Sequence, residues 1–150
     1  MTGKAIHRVG VALKTSSGEA VELGKRLLEE LDRLGIEAVL DDESASAFDA
    51  ADSVDRSELP SQVDLVVVLG GDGTLLSVTR GAINGTPILG INMGTLGFLT
   101  EHPAESLFPM LHAVLEGRAT TVRRERLLVT VEKPGCEPSI HCVLNVAVIY

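Results

Sequence analysis

Val66-Val67-Val68-Leu69-Gly70-Gly71-Asp72-Gly73-Thr74-Leu75-Leu76 carries a run of branched apolar residues straight into a glycine loop that holds one carboxylate. At average usage of about 7% for Gly and about 5% each for Asp and Thr, Gly-Gly-Asp-Gly-Thr starts by chance at about one position in a million, so it needs a physical reason. The apolar run reads as a buried strand. Without β-carbons at 70, 71 and 73, peptide N–H groups can converge on an anion, and φ can turn positive where a tight turn needs it. The residues that follow read as a short helix over 75–83, whose N-terminal N–H groups and positive dipole end favour negative charge at Thr74. A carboxylate beside a phosphate is repelled unless it is protonated, coordinates a cation or contacts a hydroxyl. Asp72 therefore points to chemistry more than to simple anion binding. The competing reading is that Asp72 or Thr74 merely caps the helix.

Strands and helices alternate on both sides of this loop. Ile6, Val9, Val11 and Leu13 predict a strand over 5–13, and Val21, Leu27, Leu28, Leu31 and Leu34 give a helix with charged residues on its other face, stopped by Gly35. Short strands follow over 36–40, 63–69 and 86–92. Residues 41–62 form an acidic, small-residue segment, read as a loop or short helix with a solvated charged face. The alternation predicts an α/β fold, a Rossmann-like doubly wound and mostly parallel sheet with ligands at the carboxyl ends of its strands. The apolar stripe Leu107, Met110, Leu111, Val114 and Leu115 predicts one more helix, ended by Gly117. Beyond it, strands over 127–131 and 140–149 flank Pro134-Gly135-Cys136-Glu137-Pro138. The expected organisation is an α/β nucleotide-binding domain over 1–120 and the first strands of a truncated β-rich domain over 121–150.

Composition narrows the partners. The 150-residue chain is 45% apolar but only 3% aromatic, which suits a Val-, Leu- and Ile-rich parallel sheet, and its net charge of −8 argues against broad contact with nucleic acid or an anionic membrane. Any phosphate must be held by local devices. Cys136 and Cys142 lack metal-ligand spacing and are expected to be reduced, a hairpin disulfide being the alternative. His7, His102, His112 and His141 form no ligand cluster with acids or Cys, so no protein-held metal is expected. No signal-like or membrane-spanning run is apparent, which makes the cytoplasm the default location.

The second glycine loop is Leu89-Gly90-Ile91-Asn92-Met93-Gly94-Thr95-Leu96-Gly97-Phe98-Leu99-Thr100-Glu101. Asn92 can donate and accept hydrogen bonds and Phe98 can pack against a base, a combination that suits a nucleoside, although Phe98 could equally be core. Both loops start where parallel strands end, so they are expected to share one crevice.

With both loops in view, the chain resembles NAD kinases. The resemblance rests on Gly70 to Thr74, on Asn92-Met93-Gly94-Thr95-Leu96-Gly97-Phe98-Leu99, on Arg124-Glu125-Arg126 and on Leu144-Asn145. Gly-Gly-Asp-Gly-Thr also occurs in lipid kinases of the diacylglycerol type, but their Gly-Thr-x-Asn-Asp loop is missing here. The resemblance implies phosphoryl transfer from ATP, or inorganic polyphosphate, to the 2′-hydroxyl of the adenosine ribose of NAD, giving NADP. It implies that Asp72 faces that hydroxyl and that Gly73 contacts the dinucleotide. Gly71, Gly73 and Thr74 are expected to hold phosphate oxygens, with Mg²⁺ offsetting the donor's charge. Because such transition states are loose, Asp72 serves more by aligning the hydroxyl than by strong basicity. Asn145 matches the first position of the family's Asn-Glu or Asn-Asp clamp for the nucleoside, but Val146 replaces the acid. The family's later glycine- and serine-rich segment has no counterpart. These departures leave two other readings, a non-catalytic nucleotide-binding module and a lipid kinase, and make weak or no activity the expectation for the 150 residues alone. Unpaired β edges predict a homo-oligomer.

Overall fold

The computed structural model describes residues 5–82, 84–94 and 97–144. The chain falls into two compact units, Met1–Thr120 and Thr121–Tyr150. In the first, β1 (Arg8–Leu13), β2 (Glu37–Leu40), β3 (Leu65–Gly70), β4 (Ile88–Asn92) and β5 (His102–Pro103) form a sheet in the order β2-β1-β3-β4-β5. Every pairing in it is parallel. The doubly wound α/β reading therefore holds. The winding reverses between β1 and β3, which makes the carboxyl ends of those strands the switch point where such sheets take ligands. The two-residue strand β5 has no signal in the sequence, because a bridge containing His102 and Pro103 is too short for any alternation to register.

The period of two in the strands divides the core into two layers. Val9, Val11, Leu13, Leu65, Val67, Leu69, Leu89 and Ile91 pack with Ala20, Leu23, Leu27 and Leu31 of α1 (Gly18–Arg33) and with Leu107 and Leu111 of α4 (Leu107–Leu115). The alternate residues Ala12, Val66 and Val68 are equally buried on the other face. There Gly10 lies against Leu59, in a single 3-10 turn Leu59–Ser61, and Gly90 lies against Leu75 of α3 (Asp72–Thr79). Ser17 starts α1, its side chain accepting a hydrogen bond from the Ala20 N–H, and Gly35, at φ 68°, turns the chain beyond its end.

Two expectations are corrected. The acidic segment 41–62 is not simply a solvated face. Asp41 is fully buried, caps α2 (Asp42–Ala47) by accepting from the Ser44 N–H at 2.9 Å, and pairs with the Arg56 guanidinium. Arg56 also reaches the Leu13 carbonyl at 3.1 Å and Glu43 at 3.0 Å, so a buried charge at the switch point is balanced within the segment itself. The helix expected over 75–83 instead begins at Asp72 and ends at Thr79. The extended backbone of Gly71 lets the Leu75 N–H reach the Gly71 carbonyl at 3.1 Å, one turn earlier than the apolar spacing suggested. Residue 83 lies outside the described residues.

In the second unit, β6 (Leu127–Val131) and β7 (Ser139–Val143) form an antiparallel hairpin, with Leu127 opposite Val143 and Val131 opposite Ser139. Leu127, Leu128 and Ile140 are exposed on it. Cys136 and Cys142 are free thiols, so the hairpin disulfide is not formed. The continuation of the second strand to 149 lies outside the described residues.

Candidate functional site

The register of β3 and β4 sets Gly70 beside Asn92, and the Met93 N–H donates to the Gly70 carbonyl at 3.0 Å. The two glycine loops therefore leave the sheet side by side, as the shared crevice requires. Gly71 is the N-cap of α3 at φ −112° and ψ −168°, with no side chain capping the helix. Asp72, Gly73 and Thr74 are its first three residues, and their N–H groups have no acceptor within the helix. Asp72 and Thr74 thus do not act as caps. Positive φ is also not what glycine supplies here, since no glycine from 70 to 73 adopts it. What it supplies is space. A β-carbon on Gly70 would come within 2.7 Å of the Thr74 Cβ, whereas among the described residues nothing lies within 4 Å of one on Gly71, Gly73 or Gly94. The backbone at 71 and 73 is open to an approaching group.

The Asp72 carboxylate turns onto the second loop. Its Oδ2 accepts from the Phe98 N–H at 2.9 Å; its Oδ1 accepts from the Leu99 N–H at 3.1 Å, the Thr100 N–H at 3.0 Å and the Thr100 hydroxyl at 3.1 Å. Partial burial acts to raise the carboxyl pKa, but these amides and the hydroxyl outweigh it and hold the group below the ordinary carboxylate value. The acid is therefore ionised at neutral pH and a poor base, suited to orienting a hydroxyl.

Phe98 is 92% exposed, so the core reading of this ring is excluded and its face is open to a planar ligand. Asn92 behaves differently from the expectation of a nucleoside contact. It is buried, its Oδ1 accepts from the Gly94 N–H at 2.8 Å, and its Nδ2 donates to the Thr100 hydroxyl at 3.0 Å and to the Thr100 carbonyl at 3.3 Å. An amide so engaged shapes the loop. Asn145 and Val146 lie outside the described residues, as do Thr95 and Leu96 of the second loop. Thr100, fully buried between Asn92 and Asp72, is the residue that sequence reasoning passed over. Its only signal was its place at the end of the second glycine loop. Among the described residues no group of three or more His, Cys, Asp or Glu could hold a metal ion.

A doubly wound parallel sheet, with a glycine loop and a fixed carboxylate at its switch point, defines an α/β protein of the doubly wound class, in which ligands lie at the carboxyl ends of the strands. Residues 9–119 match the family model described as the ATP-NAD kinase N-terminal domain. The chain belongs to the NAD kinase family. It is 40% identical over 146 residues to an NAD kinase of Syntrophotalea carbinolica and 36% identical over 145 residues to one of Geotalea daltonii, covering 96% of this chain and 51% of each relative. The chain thus spans about half the length of the curated relatives it matches. An Archaeoglobus fulgidus NAD kinase in complex with ATP is 30% identical, with a TM-score of 0.54 over 83% of this chain and 41% of that one. Yeast NADH kinase complexed with NADH shares the fold, with a TM-score of 0.82 at 20% identity over 95% of this chain and 48% of its own.

Proposed function

We propose that the intact protein is an NAD kinase that transfers a phosphoryl group from ATP, or from polyphosphate, to the 2′-hydroxyl of the adenosine ribose of NAD. The observation that carries this reading is the Asp72 carboxylate, held ionised at the switch point beside an exposed Phe98 and the N-terminus of α3. In this reading Asp72 orients the hydroxyl and takes its proton late, as a loose transition state allows. The open backbone at Gly71 and Gly73, with the Thr74 hydroxyl, receives phosphate oxygens. Phe98 carries a base, with Asn145 helping to hold the nucleoside. Mg²⁺ enters as part of the nucleotide substrate, since Mg²⁺ needs few protein carboxylates when phosphates supply the other oxygens. Units 1–120 and 121–150 act as the nucleotide-binding domain and the start of a β-rich domain. The exposed Leu127, Leu128 and Ile140 support a hairpin covered in the working molecule, and with it a homo-oligomer. The proposed location is the cytoplasm; among the described residues no helix is long and apolar enough to cross a membrane. Membership of the NAD kinase family removes the case for a lipid kinase.

The test is NADP formation from NAD and MgATP by the intact protein and by its Asp72→Asn variant. Loss of about a thousandfold in kcat for the variant, with the fold retained, is the expected result for a group that aligns the reacting hydroxyl. Undiminished NADP formation by the variant would remove Asp72 from the mechanism.

A further inference from the structure

Resting on that reading, we propose that Thr100 is a positioning residue whose hydroxyl helps to hold the Asp72 carboxylate in the rotation that leaves Oδ2 to the substrate hydroxyl. Asn92 sets the direction of the relay. Its Oδ1 accepts from the Gly94 N–H, so its amide cannot be turned round without setting NH₂ against a donor, and Nδ2 must face Thr100. An amide NH₂ only donates. The Thr100 oxygen therefore accepts from Asn92 and its single proton is left for Asp72, where it lies 3.1 Å from Oδ1.

The consequence is an asymmetric carboxylate. Among the described residues Oδ1 receives three donors, from Leu99 and twice from Thr100, which saturates its two lone pairs, whereas Oδ2 receives the Phe98 N–H alone. Oδ2 keeps one lone-pair direction for a further donor. Among the described residues no charged side chain is a cause of the carboxyl's shifted affinity for a proton; burial, the amides of 98–100 and the Thr100 hydroxyl are. Without the hydroxyl, Oδ1 would keep its two backbone donors, but the carboxylate would lose the one side-chain donor that helps to fix its rotation.

The experiment measures kcat, the KM for NAD and the pH profile of the intact protein and of its Thr100→Val, Thr100→Ala and Thr100→Ser variants, with thermal unfolding as the control for folding. Val and Ala should lower kcat about tenfold, as expected for one hydrogen bond to a charged group, and leave the KM for NAD within about twofold. The acidic limb of the profile should move to higher pH, and Ser, which keeps the hydroxyl, should restore both rate and limb. A folded Val or Ala variant with wild-type kcat, or one altered in KM alone, overturns the proposal. So does failure of both to fold while Ser behaves as wild type, because the hydroxyl would then serve the fold only. An intact wild-type protein that folds but makes no NADP overturns the functional reading itself, whatever the Thr100 variants do.

Discussion

Gly97 packs beneath the Asp72 carboxylate so closely that a β-carbon at 97 would stand 2.6 Å from the carboxylate Cγ. The carboxylate cannot yield cheaply, because four hydrogen bonds from 98–100 fix it in place. A Gly97→Ala substitution must therefore displace the acid or the loop. In the proposed enzyme a shift of about 1 Å at the group that aligns the nucleophile costs about a hundredfold in kcat. The fold should survive with a loss of about 1–3 kcal/mol, measured by urea unfolding alongside the kinetics.

Gly71→Ala should separate binding from stability. Its backbone is extended and nothing among the described residues lies within 4 Å of the added β-carbon, so the folded state accommodates it without strain. Replacing glycine at a compatible conformation removes freedom from the unfolded chain, but alanine is the poorer N-cap, so stability should stay within about 0.5 kcal/mol of the wild type. The same methyl group would stand where the proposed phosphate approaches. The KM for MgATP should rise at least about tenfold, the effect of losing about 1.4 kcal/mol of binding. Unchanged KM would move the phosphate away from Gly71.

Most of this was legible in the chain, and the parts that were not share a cause. Val66 to Leu69 and the glycine loop located the switch point, because a strand buried on both faces leaves a continuous apolar run that sequence displays openly. The start of α3 was misplaced because apolar spacing reports packing, which begins at Leu75, while the first turn is set by the backbone of Gly71. Thr100 was silent for the same reason. Its role comes from meeting Asn92 and Asp72, 8 and 28 residues away, and no local pattern encodes that meeting. Asn92 was noticed for its chemistry, but the direction its amide faces is a property of the folded loop. The buried Asp41–Arg56 pair hid among acids that look alike in sequence, though most of its acidic neighbours are solvated.

That pair makes its own prediction. Asp41 is inaccessible to solvent and Arg56 is half-buried, and the guanidinium also supports the Leu13 carbonyl at the end of β1. Removing one partner leaves the other charge buried and uncompensated. Arg56→Met should cost about 3 kcal/mol, seen as a lower urea midpoint. The double change Asp41→Asn with Arg56→Met should recover part of that loss. A single variant as stable as the wild type would show that water reaches the abandoned carboxylate.

The hydrogen bonds on Asp72 also fix how stability responds to acid. Its pKa is lower folded than unfolded, so its contribution is fully present above the unfolded value of about 3.9 and is lost as pH falls through the lower, folded value. Other carboxylates with depressed pKa values, such as Asp55 held by Ser57, contribute in the same direction, so the whole-protein profile cannot assign the effect. The difference between wild type and Asp72→Asn can. The variant should be less stable at pH 7, where Asn presents an NH₂ to the N–H donors of the second loop, and the gap should narrow as pH drops below about 4, because wild-type Asp72 then becomes protonated and neutral as well. Urea unfolding at pH 7, 5 and 3 measures that gap. A gap that stays constant across the three would mean that the loop amides do not grip the ionised acid.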